Sequence, residues 1–487
     1  MFAAGARQTP LTECDDEIGL DWDFSSGRLV VMCNHVKTLT LKLDSAQRRL
    51  RLEAGRHEFA GLRPDKLRID AALADARRAL AGPRPSPAPR PKEPEVAPWK
   101  PAAAVKLDGP VADLEVVPAD AAPMVAAAVG KEIHLVGVDG KRVRTLAADG
   151  PIRMLRYWPE TGLLLAGCVD EKVIAWDSSG ARRWTFVSEM DPAVFRAAKD
   201  YWFKSAPGHE GIHGLWSGAF LPGGTQAFVG SACTLEILDA QGKLIRRMPQ
   251  FWGTNSTFAI IDGPKGTRNL LVARKWNGTH DVSIINSATL DPSPRGFVAV
   301  PAGQTYVAGW SAMNRLHLFY EDLEGAGTRD VVSEINGTWN RVCVWGADGR
   351  PKYAASFGPG PRIPALTMRD LDLGDLDGDG RKEIVTATSQ GLVVALDSRC
   401  QKRWTTRLAS PAAALAIVWP KGTSQALLAL GCDDGRLRVL DAAGGLAHTA
   451  ELGGPATCVR RLTGAAGQPL VALGTAAGRV TIFAASP

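Results

Sequence analysis

The sequence predicts an all-β chain: an eight-bladed β-propeller over residues 102–487, preceded by a small β-rich segment (1–62) and a short helix with a proline-rich linker (63–101). Three observations predict it. The 51 glycines and 32 prolines stand between short apolar runs, as turns stand between short strands. A unit of about 48 residues recurs after the linker, within the range of known propeller blades. The last unit (CVRRL, PLVALGT, GRVTIFA) has only three strands, and the run AAAVKL at 102–107 supplies a fourth, so the ring closes without a free edge.

Within the first 62 residues, GRLVVMC, VKTLTLKL and RRLRLEAGRHEF alternate apolar and polar residues as half-buried antiparallel strands do. Pro64 to Leu80 carries Leu67, Ile69, Leu73, Ala76 and Leu80 at helical spacing, with Pro64 suited to a first turn. Seven prolines between 83 and 98 then favour an extended, semi-rigid linker.

The blades align on a closing aspartate, at Asp139, Asp177, Asp239, Asp397 and Asp441. Nine residues earlier each has a small residue: Gly130, Cys168, Gly230, Thr388 and Cys432. Cysteine sharing a slot with glycine and threonine points to packing, not chemistry. Pro110, Pro151, Pro411 and Pro455 mark the junctions between units, and further units begin near Leu215, Phe258, Leu316 and Asp370. Trp158 and Trp419 share one repeat slot and read as structural. Seven blades result if one unit is a decorated loop.

The endings DSSGARRW (Asp177 to Trp184) and DSRCQKRW (Asp397 to Trp404) resemble those of pyrroloquinoline-quinone-type (PQQ-like) repeats, with Cys400 in place of glycine in the second. That resemblance implies the fold. No quinone is expected, because the quinone enzymes of that family carry adjacent cysteines and none of the eight here are adjacent.

The most specific motif is DLDGDGRKE at 375–383. Aspartates at alternate positions turn their carboxylates to one point, the glycines permit a tight turn, and a later acid completes an oxygen cage for a hard cation. It resembles the calcium loop of FG-GAP repeats, the integrin-α-like blades. The resemblance implies structural Ca²⁺ held by Asp375, Asp377, Asp379 and Glu383, with the Arg381 carbonyl. Fifty-three residues earlier, DLEGAGTRD aligns without a gap as a weak second loop, with Asp322, Glu324 and Asp330 but Ala326 for the third acid.

His209 to His213 spell HEGIH, the letters of a zinc-protease motif, but Pro207, Gly208, Gly211 and Gly214 deny it the helix that chemistry needs. The string lies in an insertion of about 25 residues whose first half, 192–204, predicts a short helix. Such insertions build a rim over a propeller funnel. Trp202, Trp216, Trp276, Asn277, Trp310 and Asn314 are therefore candidate ligand contacts, since aromatic faces beside amide groups suit sugars.

Charge is nearly balanced, with 57 Lys and Arg against 51 Asp and Glu, which excludes a dedicated nucleic-acid binder. No run is long enough to span a membrane. Glycosylation is not expected at the sequons of Asn255, Asn277 and Asn336. The run LRLEAGRHEF resembles the closing strands of β-sandwich modules in large bacterial polysaccharide-processing proteins, which implies a piece of a longer protein. A periplasmic or secreted location is expected, with a cytoplasmic one as the alternative because the start MFAAGARQTPLTE lacks a signal-peptide layout. The first functional expectation is a monomeric, non-catalytic, calcium-braced module that binds carbohydrate or protein. The alternative is a polysaccharide lyase acting by β-elimination. In it Tyr201, His209, His213 or His280 takes the proton, and Arg274 and Lys275 neutralise the uronate.

Overall fold

The computed structural model describes residues 18–23, 28–33, 36–42, 93–189, 217–220, 224, 226–263, 268–275, 282–286, 316–336, 341–357 and 368–485. Near the N-terminus Ile18–Asp23, Arg28–Cys33 and Val36–Lys42 form an antiparallel sheet. The last two are the expected strands, and IGLDWD is an addition. The third expected strand and the 64–80 helix lie outside the described residues.

Beyond the linker the described strands form seven sheets. The first runs from Val111 to Ala147, the second from Ile152 to Val187, and the third from Ser217 to Asn286. The fourth spans Phe319 to Ser356, the fifth Met368 to Arg407, the sixth Ala412 to Glu451, and the seventh Ala456 to Ala484. The third has five strands, two of them long (Gln226–Asp239 and Leu244–Asp262), and holds residues of the two units expected from Leu215 and Phe258. Second and third strands are mostly buried, and some, such as Leu163–Cys168 and Leu392–Leu396, are apolar along their whole length, whereas fourth strands such as Arg142–Ala147 are largely exposed. First strands pack on one another from the first sheet to the second and the second to the third, from the fifth to the sixth and the sixth to the seventh, and from the seventh back to the first, so they line the axis there. The ring closes as expected: Pro101–Lys106 pairs antiparallel with Arg479–Ala484 as the outer strand of the seventh sheet.

The hairpin turns correct two alignments. In the second, fifth and sixth sheets an aspartate closes the third strand and its carboxylate accepts turn amides, as Asp441 Oδ1 does from Ala443 and Gly445. In the first sheet Gly137 holds that slot, since its amide bonds the Lys141 carbonyl as the Asp177 amide bonds Ala181. Asp139 comes two residues later and accepts from the Lys141 amide at 3.0 Å. A Cβ on Gly137 would meet the Asp139 carboxylate at 2.7 Å, so the glycine is the partner of the displaced acid. Register likewise puts Val129, not Gly130, opposite Val111, where Cys168 stands opposite Ile152. Trp158 lies within its strand and pairs with Leu163, whereas Trp419 follows Val418, the residue paired with Leu427. The two tryptophans are thus one position apart, although both are structural.

The PQQ-like endings have a packing reason. Trp404 donates its indole N–H to the Ala442 carbonyl of the next sheet at 2.9 Å and covers Gly444, where a Cβ would meet the ring at 2.7 Å. Trp184 treats Ala240 and Gly242 in the same way. Cys400 occupies the glycine position of its own turn with φ of 60°, and Cys168 and Cys432 are buried, their thiols pushed up to about 12 by burial.

The end of the linker is docked. Ala97–Pro98 adds in parallel to the outer strand Leu446–Glu451, and Trp99 is buried against Phe483, with ring centroids 5.3 Å apart. Glu93 Oε1 accepts from Arg438 Nε at 2.6 Å and from the Ala409 amide at 2.9 Å. Among the described residues no helix is long and apolar enough to cross a membrane.

Candidate functional site

The acidic loop is a tight turn between two strands that gathers three of its four acids. It connects the first strand of the fifth sheet, Met368–Gly374, to the second, Glu383–Thr388, which starts on the last acid. Asp375 accepts the amides of Gly378 (2.7 Å) and Gly380 (2.9 Å), and both glycines have positive φ. Carboxylate oxygens of Asp375, Asp377 and Glu383 lie within 4.8 Å of one another. Asp379 turns to the Arg381 amide instead, at 2.8 Å, and is not in that group.

Whether calcium fits depends on Arg403, which the sequence reading did not consider. Its Nη1 donates to Glu383 Oε1 at 2.5 Å and its Nη2 to Asp377 Oδ2 at 2.6 Å. The other oxygen of Glu383 accepts the Leu376 amide at 2.9 Å. An ion at the usual ~2.3–2.6 Å from both bridged oxygens would lie roughly 3–5 Å from the guanidinium nitrogens, a like-charge contact. With Arg403 so placed, the loop does not fit the ion. Burial raises the Glu383 carboxyl, opposed by the Leu376 amide and Arg403, while the bond to Arg403 lowers Asp377.

The loop is also a joint between sheets. Trp419 donates to the Asp375 carbonyl (2.7 Å), the Ala426 amide to Leu376 (2.9 Å), and Gln425 to Asp377 (3.1 Å), all three donors lying between the first and second strands of the sixth sheet. The second loop repeats this one step back: the Leu323 carbonyl accepts the Lys382 amide at 2.8 Å, and Glu324 accepts Ser398 Oγ at 2.7 Å. Asp322 accepts the amides of Ala326 and Gly327, and Asp330 pairs with Lys352 at 2.7 Å.

A second constellation, missed in the sequence, lies on the first strands. Asp113 accepts its neighbour Leu114 N–H and, across to the second sheet, the Leu155 N–H, each at 2.9 Å. Asp370 does the same with Leu371 and Leu415, and Asp372 with Leu373 and Ile417. Asp113 sits between Arg156 of the second sheet (3.2 Å) and Arg460 of the seventh (2.7 Å), while Asp372 pairs with Arg461 at 3.2 Å. Burial raises Glu115 against the pull of Arg156 and Arg460, and raises Asp372 against Arg461. The findable signal was Asp-Leu-acid at the head of two first strands, Asp113 to Glu115 and Asp370 to Asp372.

Tyr201, Trp202, His209, His213, Trp216, Trp276, Asn277, His280, Trp310 and Asn314 lie outside the described residues. So does the 192–204 helix. Arg274 and Lys275 close the strand Arg268–Lys275, but their side chains are not described.

No family model matches the chain. No curated protein matches it either. Solved structures do. BamB from Moraxella catarrhalis is similar at 15% identity and TM-score 0.53, over 80% of this chain and 100% of its own. Sqt1 from Saccharomyces cerevisiae is similar at 12% identity and TM-score 0.60, again over 80% and 100%. The Dos1 propeller matches at 11% identity and TM-score 0.52, over 80% and 95%. At these identities the likeness shows the fold alone, and with the closed ring of small antiparallel sheets the chain is a β-propeller.

Proposed function

We propose that this chain is a non-catalytic β-propeller binding module of an exported bacterial protein, and that it takes an acidic segment of a protein partner on the arginines of its first strands. One observation carries the reading: burial within these ion pairs is lopsided. The carboxylates of Asp113 and Asp372 are 11% and 10% exposed, whereas Arg156, Arg460 and Arg461 are 33%, 31% and 44% exposed. The buried acids orient guanidinium groups that are themselves partly exposed, and one nitrogen of each also donates to a strand carbonyl, that of Leu155, Val459 or Ile417. Donors fixed in advance lose little freedom on meeting a carboxylate, which favours binding. The two acidic loops brace the fifth sheet, which carries Asp372, against its neighbours. Calcium enters this reading only as an ion that displaces Arg403.

A uronate polysaccharide presents the same carboxylates and is the competing outcome, as is the lyase, whose candidate side chains lie outside the described set. The test is titration of the full chain with fluorescent polyglutamate and with polygalacturonate. Salt-sensitive binding of the peptide supports the proposal. Binding of the polysaccharide alone moves the ligand to carbohydrate, ultraviolet absorbance from an unsaturated product makes the chain a lyase, and binding of neither overturns the module.

A further inference from the structure

The disagreement between the acidic loop and the ion its sequence implies can be argued further. We propose that Arg403 is the resident cation of loop 375–383, so that the joint between the fifth and sixth sheets closes without calcium, and that Lys352 serves the second loop likewise.

The first support is geometric. Glu383 is 2% exposed, and a carboxylate so buried needs a charged partner. The guanidinium of Arg403 supplies one, and its second nitrogen reaches Asp377 on the far side of the turn, the pair of acids a bridging metal would link.

The second support is independent and comes from the repeat. In each fourth strand of the fourth and fifth sheets one residue bulges out of register: Lys352, between the partners of Trp345 and Val344, and Arg403, between those of Leu396 and Ala395. These are the two blades whose second strand opens on an acid, Asp330 and Glu383. In the first and sixth sheets that opening residue is Met124 or Leu427, and the bulged residue is Val143 or Ala447. The second sheet opens on Leu163, and its bulged Arg183 pairs instead with Asp177 of its own turn, at 2.6 Å. Among these sheets a cation reaches the loop where an acid awaits it. Lys352 is the more telling case, because the second loop has lost a carboxylate at Ala326 and yet Nζ still holds both oxygens of Asp330, at 2.7 and 3.0 Å.

Metal independence follows from tethering. A guanidinium fixed on the fourth strand of the same sheet is present at a high local concentration, and its displacement by Ca²⁺ would leave it beside a divalent ion.

The experiment is thermal unfolding of the full chain and of Arg403→Ala and Arg403→Lys, each with millimolar Ca²⁺ or with chelator. The wild-type midpoint is expected to be the same in both. Arg403→Ala should melt several degrees lower in chelator and regain part of that loss with Ca²⁺, and Asp377→Asn in the same background should abolish the recovery. Arg403→Lys, which can reach one acid at a time, should fall between, and it carries the test if Arg403→Ala does not fold. A wild-type midpoint that rises with Ca²⁺ and falls with chelator would overturn the proposal. So would an Arg403→Ala chain that melts like wild type in chelator.

Discussion

His317 Nε2 lies 2.8 Å from Asp370 Oδ1, so an imidazole of the fourth sheet holds a carboxylate on the first strand of the fifth. Its Nδ1 lies 3.2 Å from Glu334 Oε1 in its own sheet, on a fully buried side chain. Burial alone would pull the imidazole down, but the charge of Glu334 and the bond to Asp370 outweigh it and push it up to about 10. The ring is therefore charged at neutral pH and acts as a clip between sheets.

A folded-state value above the ordinary 6.5 sets the sign of the pH effect. The clip contributes fully below pH 6.5, and its contribution is lost as pH rises towards 10. His317→Gln should cost roughly 3 kcal/mol at pH 6 by removing the cation that Glu334 and Asp370 share, and much less at alkaline pH. Urea unfolding of both chains across this range checks it; parallel curves at every pH would rule out the clip.

The docked linker makes a second prediction. Arg438 is 1% exposed and shared between Glu93 and Asp434. Glu93→Ala should cost about 1–3 kcal/mol, because the Ala409 amide and part of a buried guanidinium lose their acceptor. Trp99→Ala should cost about 3 kcal/mol through the cavity beside Phe483. Both variants should be cut faster by protease near Ala97 than wild type, and an unchanged cutting rate would show that the strap does not hold this segment.

The turn glycines give a third. At Gly444, φ is 83° and Trp404 covers the position, so Gly444→Ala combines backbone strain with a clash and should cost more than about 2 kcal/mol. At Cys400, φ is 60° on a residue that is 5% exposed and packed in the core. Cys400→Gly trades roughly 1 kcal/mol of relieved strain against a similar loss of packing and should be close to neutral, whereas Cys400→Ala keeps the strain and loses the sulfur. Chemical denaturation should rank the variants Cys400→Gly, Cys400→Ala, Gly444→Ala from most to least stable.

What was legible in the sequence was whatever repeats locally. The tryptophan endings, Cys400 in a glycine slot and the turn formed by Asp375 with its glycines follow from spacing within one unit, and the closing strand from the fourth strand that the last unit lacks. What was hidden depends on contacts between units. The Leu155 amide reaches Asp113 from the next unit, 42 residues away, and even within one unit Arg403 meets Asp377 from the far strand of the sheet, so neither has a local signature. Turn length misled in both directions, because one extra residue shifts Trp419 against Trp158, and an aspartate moved by two leaves glycine in its slot at Gly137. Proline content predicts an extended linker, most of which lies outside the described residues, and carries no information on where Ala97 and Pro98 dock.

Binding of an acidic peptide by the first-strand arginines is tested most directly by titrating fluorescent polyglutamate onto the wild-type chain and Arg461→Gln at several salt concentrations. Arg461 is 44% exposed and leaves Asp372 bonded to two amides, so the variant should stay folded. The account predicts binding that weakens with salt and falls roughly tenfold in the variant. Equal affinity in both chains, with no dependence on salt, would contradict it.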